Sequence, residues 1–276
     1  MDLPSDISEL FAEEMAAKFL ATADAGGRVN VALIVTLQPP PDGKKDRLIF
    51  GEFLMWKSKR NLKENPRVAV AAVNMKLKMA TLQGDFQGFE EKGHYKDTID
   101  ASSFMRYNAY SGVRAAGVVD VKEVSPLRGP FMPSLASDFV RLRMHGSGGL
   151  NGDITIPRLV KEKFTKLTSI KALAVMGDDG YPCIYPVLTV APAGEGGFKL
   201  LAAKYNHEMM DIKVPCRAAM SLVTMDAKSY KVIGELKAGD SKTLILKVEE
   251  VYNSMPPLAG ERIVPRSQEP VGAGLS

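Results

Sequence analysis

The sequence has few of the features that mark several large classes of protein. It holds only two cysteines, Cys183 and Cys216, with no CxxC spacing, so we expect reduced core thiols rather than a disulfide framework. No run approaches the roughly 20 apolar residues that a membrane-spanning helix needs. The acidic start, MDLPSDISELFAEEMAAKF, lacks the basic segment and apolar run of a secretory signal. We therefore expect a cytoplasmic protein without a membrane partner.

An excess of charge of one sign is also missing. The chain has 36 basic and 32 acidic residues, a formal net charge of +4, which is too small to indicate a nucleic-acid partner. A local basic cluster is still able to bind one anionic ligand. With 45% hydrophobic and 25% charged residues the composition is that of a soluble globular protein. Its 276 residues exceed a typical domain of roughly 100 to 200 residues, which favours two domains.

The chain repeats itself. KFLATADAGGRVNVALIVTL, from Lys18, resembles KALAVMGDDGYPCIYPVLTV, from Lys171: an apolar strand, an Asp and Gly turn, and a second strand, each preceded by a helical pattern. Matching segments follow in the same order, namely RLIFGEF with FKLLAAK, NPRVAVAAV with PCRAAMSLV, Gly84 with Gly234, and GVVDVKEV with LILKVEEV. Any two β domains share alternation and turns, but this ordered series favours duplication.

The repeat predicts the domain organisation. We expect a first domain over 1–125, a connecting segment over 126–155 that is rich in Pro, Gly and Ser, and a second, degenerate domain over 156–276. About six short strands per copy, joined by tight turns, predict a mainly β fold in which an antiparallel sheet closes into a barrel with few helices. A doubly wound dinucleotide-binding fold is disfavoured, because no GxGxxG follows a first strand.

The segment RLIFGEFLMWKSKRNLKENPRVAVAAV carries the clearest chemistry. It predicts a strand, a loop, a short helix capped by Ser58 and ended by Asn65, and a further strand. The exposed backbone N–H groups at a helix start favour an anion. Lys57, Lys59 and Arg60 add positive charge there. The alternative is that these basic residues form a solvated helix face.

The pattern Lys-Ser/Thr-x-x-Asn-Leu followed by Asn-Pro-x-Val, here KSKRNLKENPRV, resembles the FMN-binding split barrels related to pyridoxamine 5'-phosphate oxidase. The resemblance extends over roughly 16–125 and, more weakly, 168–252, and it includes DAGGRVNVALIV and TLQGDFQGF. It implies two tandem split β-barrels that form a pseudo-dimer within one chain, with the flavin between them. Relatives of this kind include oxidases, flavin reductase-like proteins, and haem or deazaflavin binders, so the fold alone does not identify the reaction.

The resemblance also implies the site residues. By position, Lys57 and Ser58 hold the cofactor phosphate, and Arg60 or Lys59 assists. Trp56 either covers the flavin ring or anchors its loop. Further contacts with the cofactor are implied for the second strand, the loop after the third strand and the fifth strand, namely Ala32, Leu33, Ile34, Phe53, Leu54, Met55 and Gln83.

The second copy has lost the phosphate chemistry, because His207, Glu208 and Met209 occupy the positions of Lys57, Ser58 and Lys59. A carboxylate repels a phosphate. We therefore expect one flavin per chain and a second copy that serves as a structural partner. Residues of the second copy near Tyr181, Tyr185 or Tyr205 are the candidates to close the groove that keeps the phosphate site.

The leading hypothesis is an FMN-dependent oxidoreductase whose catalytic residues and substrate are unknown, with a nicotinamide or another electron donor. Arg114 either meets an anionic substrate or is structural. The alternatives are a non-catalytic binding module for flavin, haem or deazaflavin, and a purely structural domain. His94, His145 and His207 are isolated in sequence, so no metal is predicted. Association of two chains into a homodimer is left open.

Overall fold

A computed structural model of the chain describes residues 1–102, 112–144, 152–240, 242–256 and 258–265. The first half contains α1 (Ser5–Ala12), β1 (Ala17–Ala23), β2 (Val29–Leu33), β3 (Arg47–Gly51), α2 (Trp56–Glu64), β4 (Arg67–Val73), β5 (Met79–Glu90), α3 (His94–Asp100) and β6 (Ala116–Val124). The connection carries α4 (Met132–Met144). The second half contains α5 (Arg158–Thr165), β7 (Ile170–Met176), β8 (Pro182–Val187), β9 (Val190–Pro192), β10 (Gly197–Leu201), a 3-10 helix (Lys204–Asp211), β11 (Cys216–Val223), β12 (Ser229–Ala238), β13 (Thr243–Asn253) and β14 (Arg262–Val264).

The two halves have the same sheet topology. The first sheet runs β2-β1-β4-β5-β6-β3, and the second runs β8-β7-β11-β12-β13-β10 in the equivalent order. The second sheet also has β9 beside β10, and β14 pairs with β13. Neighbouring strands pair antiparallel, and each sheet curls into a half-barrel. The predicted fold class, mainly β with two tandem split barrels in one chain, is confirmed.

Two glycines mark the same place in each copy. Gly84 in β5 and Gly234 in β12 both lie where the pairing with the next strand shifts register. A Cβ on Gly84 would lie 2.5 Å from the carbonyl oxygen of Asp120, and a Cβ on Gly234 would lie closer still to that of Lys247. Since the neighbouring backbone leaves no room for a side chain, both positions require glycine.

Strand β1 is buried on both of its faces, which explains its continuous apolar run. Leu20 packs in the core of the first barrel with Phe50 and Val70. Phe19 and Ala21, on the opposite face, belong to a core shared by both halves. We call it the inter-barrel core. Its small members, which permit close approach of the two sheets, are Ala21, Ala69 and Ala71 from the first half and Ala172, Ala174 and Ala219 from the second.

The helices differ from the sequence expectations in detail. Helix α1 ends at Ala12, because Glu13 is already extended and β1 follows. Pro157, which the sequence predicts in the first turn of a helix, is instead the N-cap of α5. The connecting segment contains α4, which the Pro, Gly and Ser content did not predict. The segment EEKGHYKDTIDASSFMRYNAYSG predicts a helix before β6; α3 is present in it, and positions 103–111 lie outside the described residues. The domain boundaries stay predictions.

Among the described helices, none combines the length and the apolar character needed to cross a membrane. In the same part of the chain, no group of three or more His, Cys, Asp and Glu side chains is placed to hold a metal ion. Cys183 and Cys216 are free and only partly buried.

Candidate functional site

Helix α2 starts earlier than the sequence predicts. Its N-cap is Met55, which makes no side-chain capping bond, and Ser58 lies one turn inside the helix, so the prediction of Ser58 as N-cap is wrong. The amide of Lys59 donates the first intrahelical bond, to the carbonyl of Met55 at 2.8 Å. The amides that precede it have no acceptor within the helix and lie at the positive end of the helix dipole. The helix ends at Asn65, as predicted.

A buried chain of hydrogen bonds runs from this helix into the second half. Asn30, on β2, donates from Nδ2 to the hydroxyl of Ser58 at 2.8 Å. Lys231, on β12, donates from Nζ to Oδ1 of the same Asn30 at 2.6 Å. All three side chains are buried. One asparagine therefore fixes a hydroxyl of the first half and an ammonium group of the second half at the same point.

A second lysine lies beside Lys231. The Nζ atoms of Lys57 and Lys231 lie 5.6 Å and 5.0 Å from the ring centroid of Tyr252, on β13. Burial, reinforced by the charge of Lys57, lowers the pKa of Lys231 from 10.5 to about 7. Burial also lowers the pKa of Lys57. We call Asn30, Lys57, Ser58, Lys231 and Tyr252 the lysine cluster.

The lysine cluster carries an excess of positive charge. In the part of the chain that the structure describes, neither Lys57 nor Lys231 has a carboxylate within ion-pair distance. Glu250 is the acid whose charge raises the pKa of both lysines, but its carboxylate already accepts from the Tyr252 hydroxyl at 2.8 Å and pairs with Arg262. Arg60 adds charge that lowers the pKa of Lys57 further. Such a set of cationic donors is chemically suited to an anion.

Two of the predicted site residues have other partners. Lys59 forms an ion pair with the buried Glu52 at 2.6 Å, and its Nζ lies 5.5 Å from the ring centroid of Phe89. The guanidinium of Arg114 lies 4.3 Å from the ring centroid of Trp56. The indole therefore anchors the start of α2 through a cation–π contact. The structure places Lys59 and Trp56 beside these groups rather than in the lysine cluster.

The predicted ring contacts lie on the strand and loop around the cluster. Ile34 and Met55 are buried in the core of the first barrel, and Ala32 packs against it. Leu33 packs against the inter-barrel core, and Phe53 packs against a small core around Ile49 and Ile99. Leu54 is half-buried and has a left-handed backbone, with φ of 48°. Whether any of them touches a flavin stays a prediction.

Gln83 lies in a different groove. It lines a cavity of about 380 Å³ between the two halves. We call this cavity the Tyr185 cavity. Its polar lining includes Thr81, Gln83 and Ser125 from the first half and Cys183, Tyr185 and Glu208 from the second. Tyr205 also lines it, whereas Tyr181 donates its hydroxyl to Asp85 at 2.7 Å.

The Tyr185 cavity and the lysine cluster are equivalent places in the two copies. The matched registers put Thr81 of β5 where β12 has Lys231, and Cys183 of β8 where β2 has Asn30. Ser125 likewise corresponds to Tyr252. Glu208 stands at the position of Ser58, as the sequence predicts, and it is bonded to Arg128 of the connecting segment. His207 is exposed.

Sequence reasoning missed the contribution of the second copy to the first groove. The sequence suggested residues near Tyr181, Tyr185 and Tyr205 for this role. The residues that reach Lys57 and Asn30 are instead Tyr252 and Lys231. The available signal was Lys231 itself, a lysine in the middle of an apolar strand, SYKVIGELKA. A charged side chain at a strand position that should be buried is a candidate for function.

No protein-family model matches the chain, and the comparison with curated proteins finds no match. Among solved structures, the chain is similar to HupZ from Group A Streptococcus, with 17% identity over 44% of this chain and 91% of that chain and a TM-score of 0.36. It is similar to an FMN-binding protein from Syntrophomonas wolfei, with 20% identity over 41% of this chain and 79% of that chain and a TM-score of 0.34. It is also similar to HutZ, the haem storage protein from Vibrio cholerae, with 18% identity over 47% of this chain and 96% of that chain and a TM-score of 0.34. The similar solved structures also include a putative flavin reductase with a split barrel domain from Shewanella frigidimarina, with 7% identity over 44% of this chain and 74% of that chain and a TM-score of 0.28.

Proposed function

We propose that this protein binds FMN with its phosphate in the lysine cluster and acts as an oxidoreductase. The observation that carries the proposal is a pair of lysines, the half-buried Lys57 and the buried Lys231, which come from different halves of the chain and have no carboxylate at ion-pair distance among the described residues. Two ammonium groups that are beside one another and largely removed from solvent are costly unless an anion joins them. A phosphate dianion supplies the missing charge.

The residues present fit a phosphate. The amides at the start of α2, the hydroxyl of Ser58 and the two ammonium groups are all donors, and charge-assisted bonds of this kind are the strong ones. Asn30 positions two of these donors by bonding both Ser58 and Lys231. Arg60, exposed on the same helix, adds charge at the rim. A bound flavin would supply electron or hydride transfer, and the protein would position it.

Titration with FMN, followed by flavin fluorescence and absorbance, tests the phosphate assignment. We expect Lys57→Met to weaken FMN binding about 10- to 100-fold, because it removes a charge-assisted hydrogen bond of about 1.5–3 kcal/mol. The matched control is Lys63→Met on the same helix, since Lys63 is exposed. Equal affinity in the Lys57→Met variant and the wild type would contradict the site assignment.

Stoichiometry tests the asymmetry between the copies. We expect one FMN per chain, because Glu208 and Thr81 replace Ser58 and Lys231 in the equivalent groove. Calorimetric titration measures the ratio directly. A ratio near two would show that the second groove also accepts a phosphate.

The oxidoreductase part of the proposal has its own test. Reduction of the bound flavin by a nicotinamide donor, followed by reoxidation by an added acceptor, separates an enzyme from a binding module. The non-catalytic alternative predicts tight binding without turnover. Haem is the weaker choice for the lysine cluster, because the cluster has no imidazole or thiolate to serve as an axial ligand, and its one phenol, Tyr252, already donates its hydroxyl to Glu250 at 2.8 Å.

A further inference from the structure

The Tyr185 cavity and the lysine cluster occupy equivalent positions but have opposite properties. In the lysine cluster, the long side chains of Lys231 and Tyr252 extend between the halves. At the equivalent positions Thr81 and Ser125 are short, and a cavity of about 380 Å³ is present. Ligand pockets typically begin at about 300 Å³. Duplication followed by divergence has therefore left a ligand-sized space in the second groove.

The charge of this cavity differs from that of the lysine cluster. Its lining holds three carboxylates, Glu123, Asp179 and Glu208, and the guanidinium of Arg128. Burial alone would raise the pKa of Glu208, but hydrogen bonds from the backbone and from Arg128 hold it below its usual range. That ion pair leaves Glu123 and Asp179, both exposed at the rim, as excess negative charge. Such a rim attracts cations and repels phosphates.

The walls of the cavity suit a flat ring. The first half contributes residues of β4 and β5, and the second half contributes β8 and the 3-10 helix, so the space lies between two sheets. Apolar side chains, including Leu82 and Ile184, cover much of it, and Tyr185 is the aromatic side chain of β8 among them. The amide of Gln83 has only long contacts, at 3.5 Å to the carbonyl of Pro182 and 3.9 Å to Cys183, and is able to turn toward a ligand.

We propose that the Tyr185 cavity binds a nitrogen heteroaromatic base that is flat, neutral or cationic, and free of phosphate. The ring packs against the apolar walls beside Tyr185, the amide of Gln83 bonds to its polar edge, and the acidic rim favours positive charge on its amino groups. This site is separate from the lysine cluster. The protein would thus hold two different ligands in its two grooves.

Proflavine, a flat cationic heteroaromatic amine, is the probe, with fluorescence titration as the readout. We expect one proflavine to bind per chain of the wild type. Thr81→Lys, which places the lysine of the other groove in the cavity, should weaken this binding about tenfold or more, by adding both bulk and like charge. Glu123→Gln should weaken it by about two- to fivefold, the usual effect of an exposed charge. Lys231→Met, in the opposite groove, should leave it unchanged.

The proposal is overturned if proflavine shows no saturable binding, or if Thr81→Lys and Lys231→Met weaken it equally. Should Thr81→Lys fail to fold, Thr81→Phe fills the same space without charge and is expected to weaken proflavine binding through bulk alone. FMN titration of the Lys57→Met variant reports on the lysine cluster separately. Failure of one site is therefore distinguishable from failure of the other.

Discussion

We expect Lys231 to make the proposed binding of the FMN phosphate dependent on pH. In the free protein, burial and the neighbouring Lys57 hold the pKa of Lys231 at about 7, against 10.5 for an ordinary lysine. A bound phosphate dianion would stabilise the ammonium form and raise that pKa. Above pH 7, FMN binding therefore takes up a proton at Lys231, and its affinity falls as pH rises.

The size of the effect follows from the protonated fraction. With a pKa of about 7, that fraction falls roughly 25-fold between pH 7.5 and pH 9, and we expect the dissociation constant for FMN to rise by about the same factor. At pH 6, where Lys231 is charged in the wild type, Lys231→Met should weaken binding about 10- to 100-fold. The variant should show little of the pH dependence, since a methionine has no proton to take up.

Fluorescence titrations of FMN at pH 6, 7.5 and 9 measure both effects. Lys231→Arg is the matched variant, because a guanidinium stays charged over the whole range. It should retain affinity at pH 6 and lose the dependence on pH. Lys57, which is half-buried, also has a lowered pKa and is present in both proteins, so the comparison between wild type and variant is the informative quantity. An unchanged pH dependence in Lys231→Met would refute the role assigned to Lys231.

Two further predictions concern the frame that holds the grooves. Burial lowers the pKa of Lys171 from 10.5 to about 7. Between these two pH values Lys171 carries a proton in the unfolded chain but not in the folded one. The free energy of unfolding therefore rises with pH in this range, by about 1.4 kcal/mol per pH unit. Urea unfolding at pH 7.5 and 9.5 should show that this rise is lost in Lys171→Met but kept in Lys166→Met, which changes an exposed lysine. If the free energy of unfolding changes equally with pH in both variants, Lys171 is not neutral in the folded protein. Gly84→Ala should lower the free energy of unfolding by about 1–3 kcal/mol or more, because the added Cβ meets the backbone of Asp120. Gly26→Ala, in an exposed turn, is the control and should lower it by less than about 1 kcal/mol. A similar urea midpoint for the two alanine variants would contradict the close packing at the register shift.

The repeat and the succession of strands along the chain were readable from sequence because local patterns determine them. The alternation of β5 and β12, the turns after β1 and β7, and the paired glycines each depend on residues close together in the chain. Lys18 and Lys171, the second residues of β1 and β7, are both buried, so this feature repeats as well. The start of α2 was misplaced because Trp56 and Lys57 have no capping side chain before them, whereas Ser58 resembles a cap and instead bonds to Asn30 from inside the helix.

The composition of each groove was not readable, because it depends on which strands of one half face which strands of the other. Gln83 was grouped with Lys57 on the evidence of one copy, yet the packing of the halves directs it toward Cys183. The same packing brings Lys231 to Asn30 across 201 positions of sequence. No pattern within either copy carries that information. Only the packing of the two halves, with β2 against β7 and β11 and with β1 and β4 against β8, determines it.

This arrangement explains what a fused chain gains over a dimer of identical barrels. In a symmetric dimer the two grooves are built from the same residues, so a lysine at the Lys231 position would appear in both. Fusion lets β12 carry Lys231 while β5 keeps Thr81, and lets α2 keep Ser58 while its counterpart acquires Glu208. Placing an additional lysine in one groove then has no cost in the other. The separation of positive charge into one groove and open, acid-rimmed space into the other is therefore possible in a fused chain and impossible in a symmetric dimer.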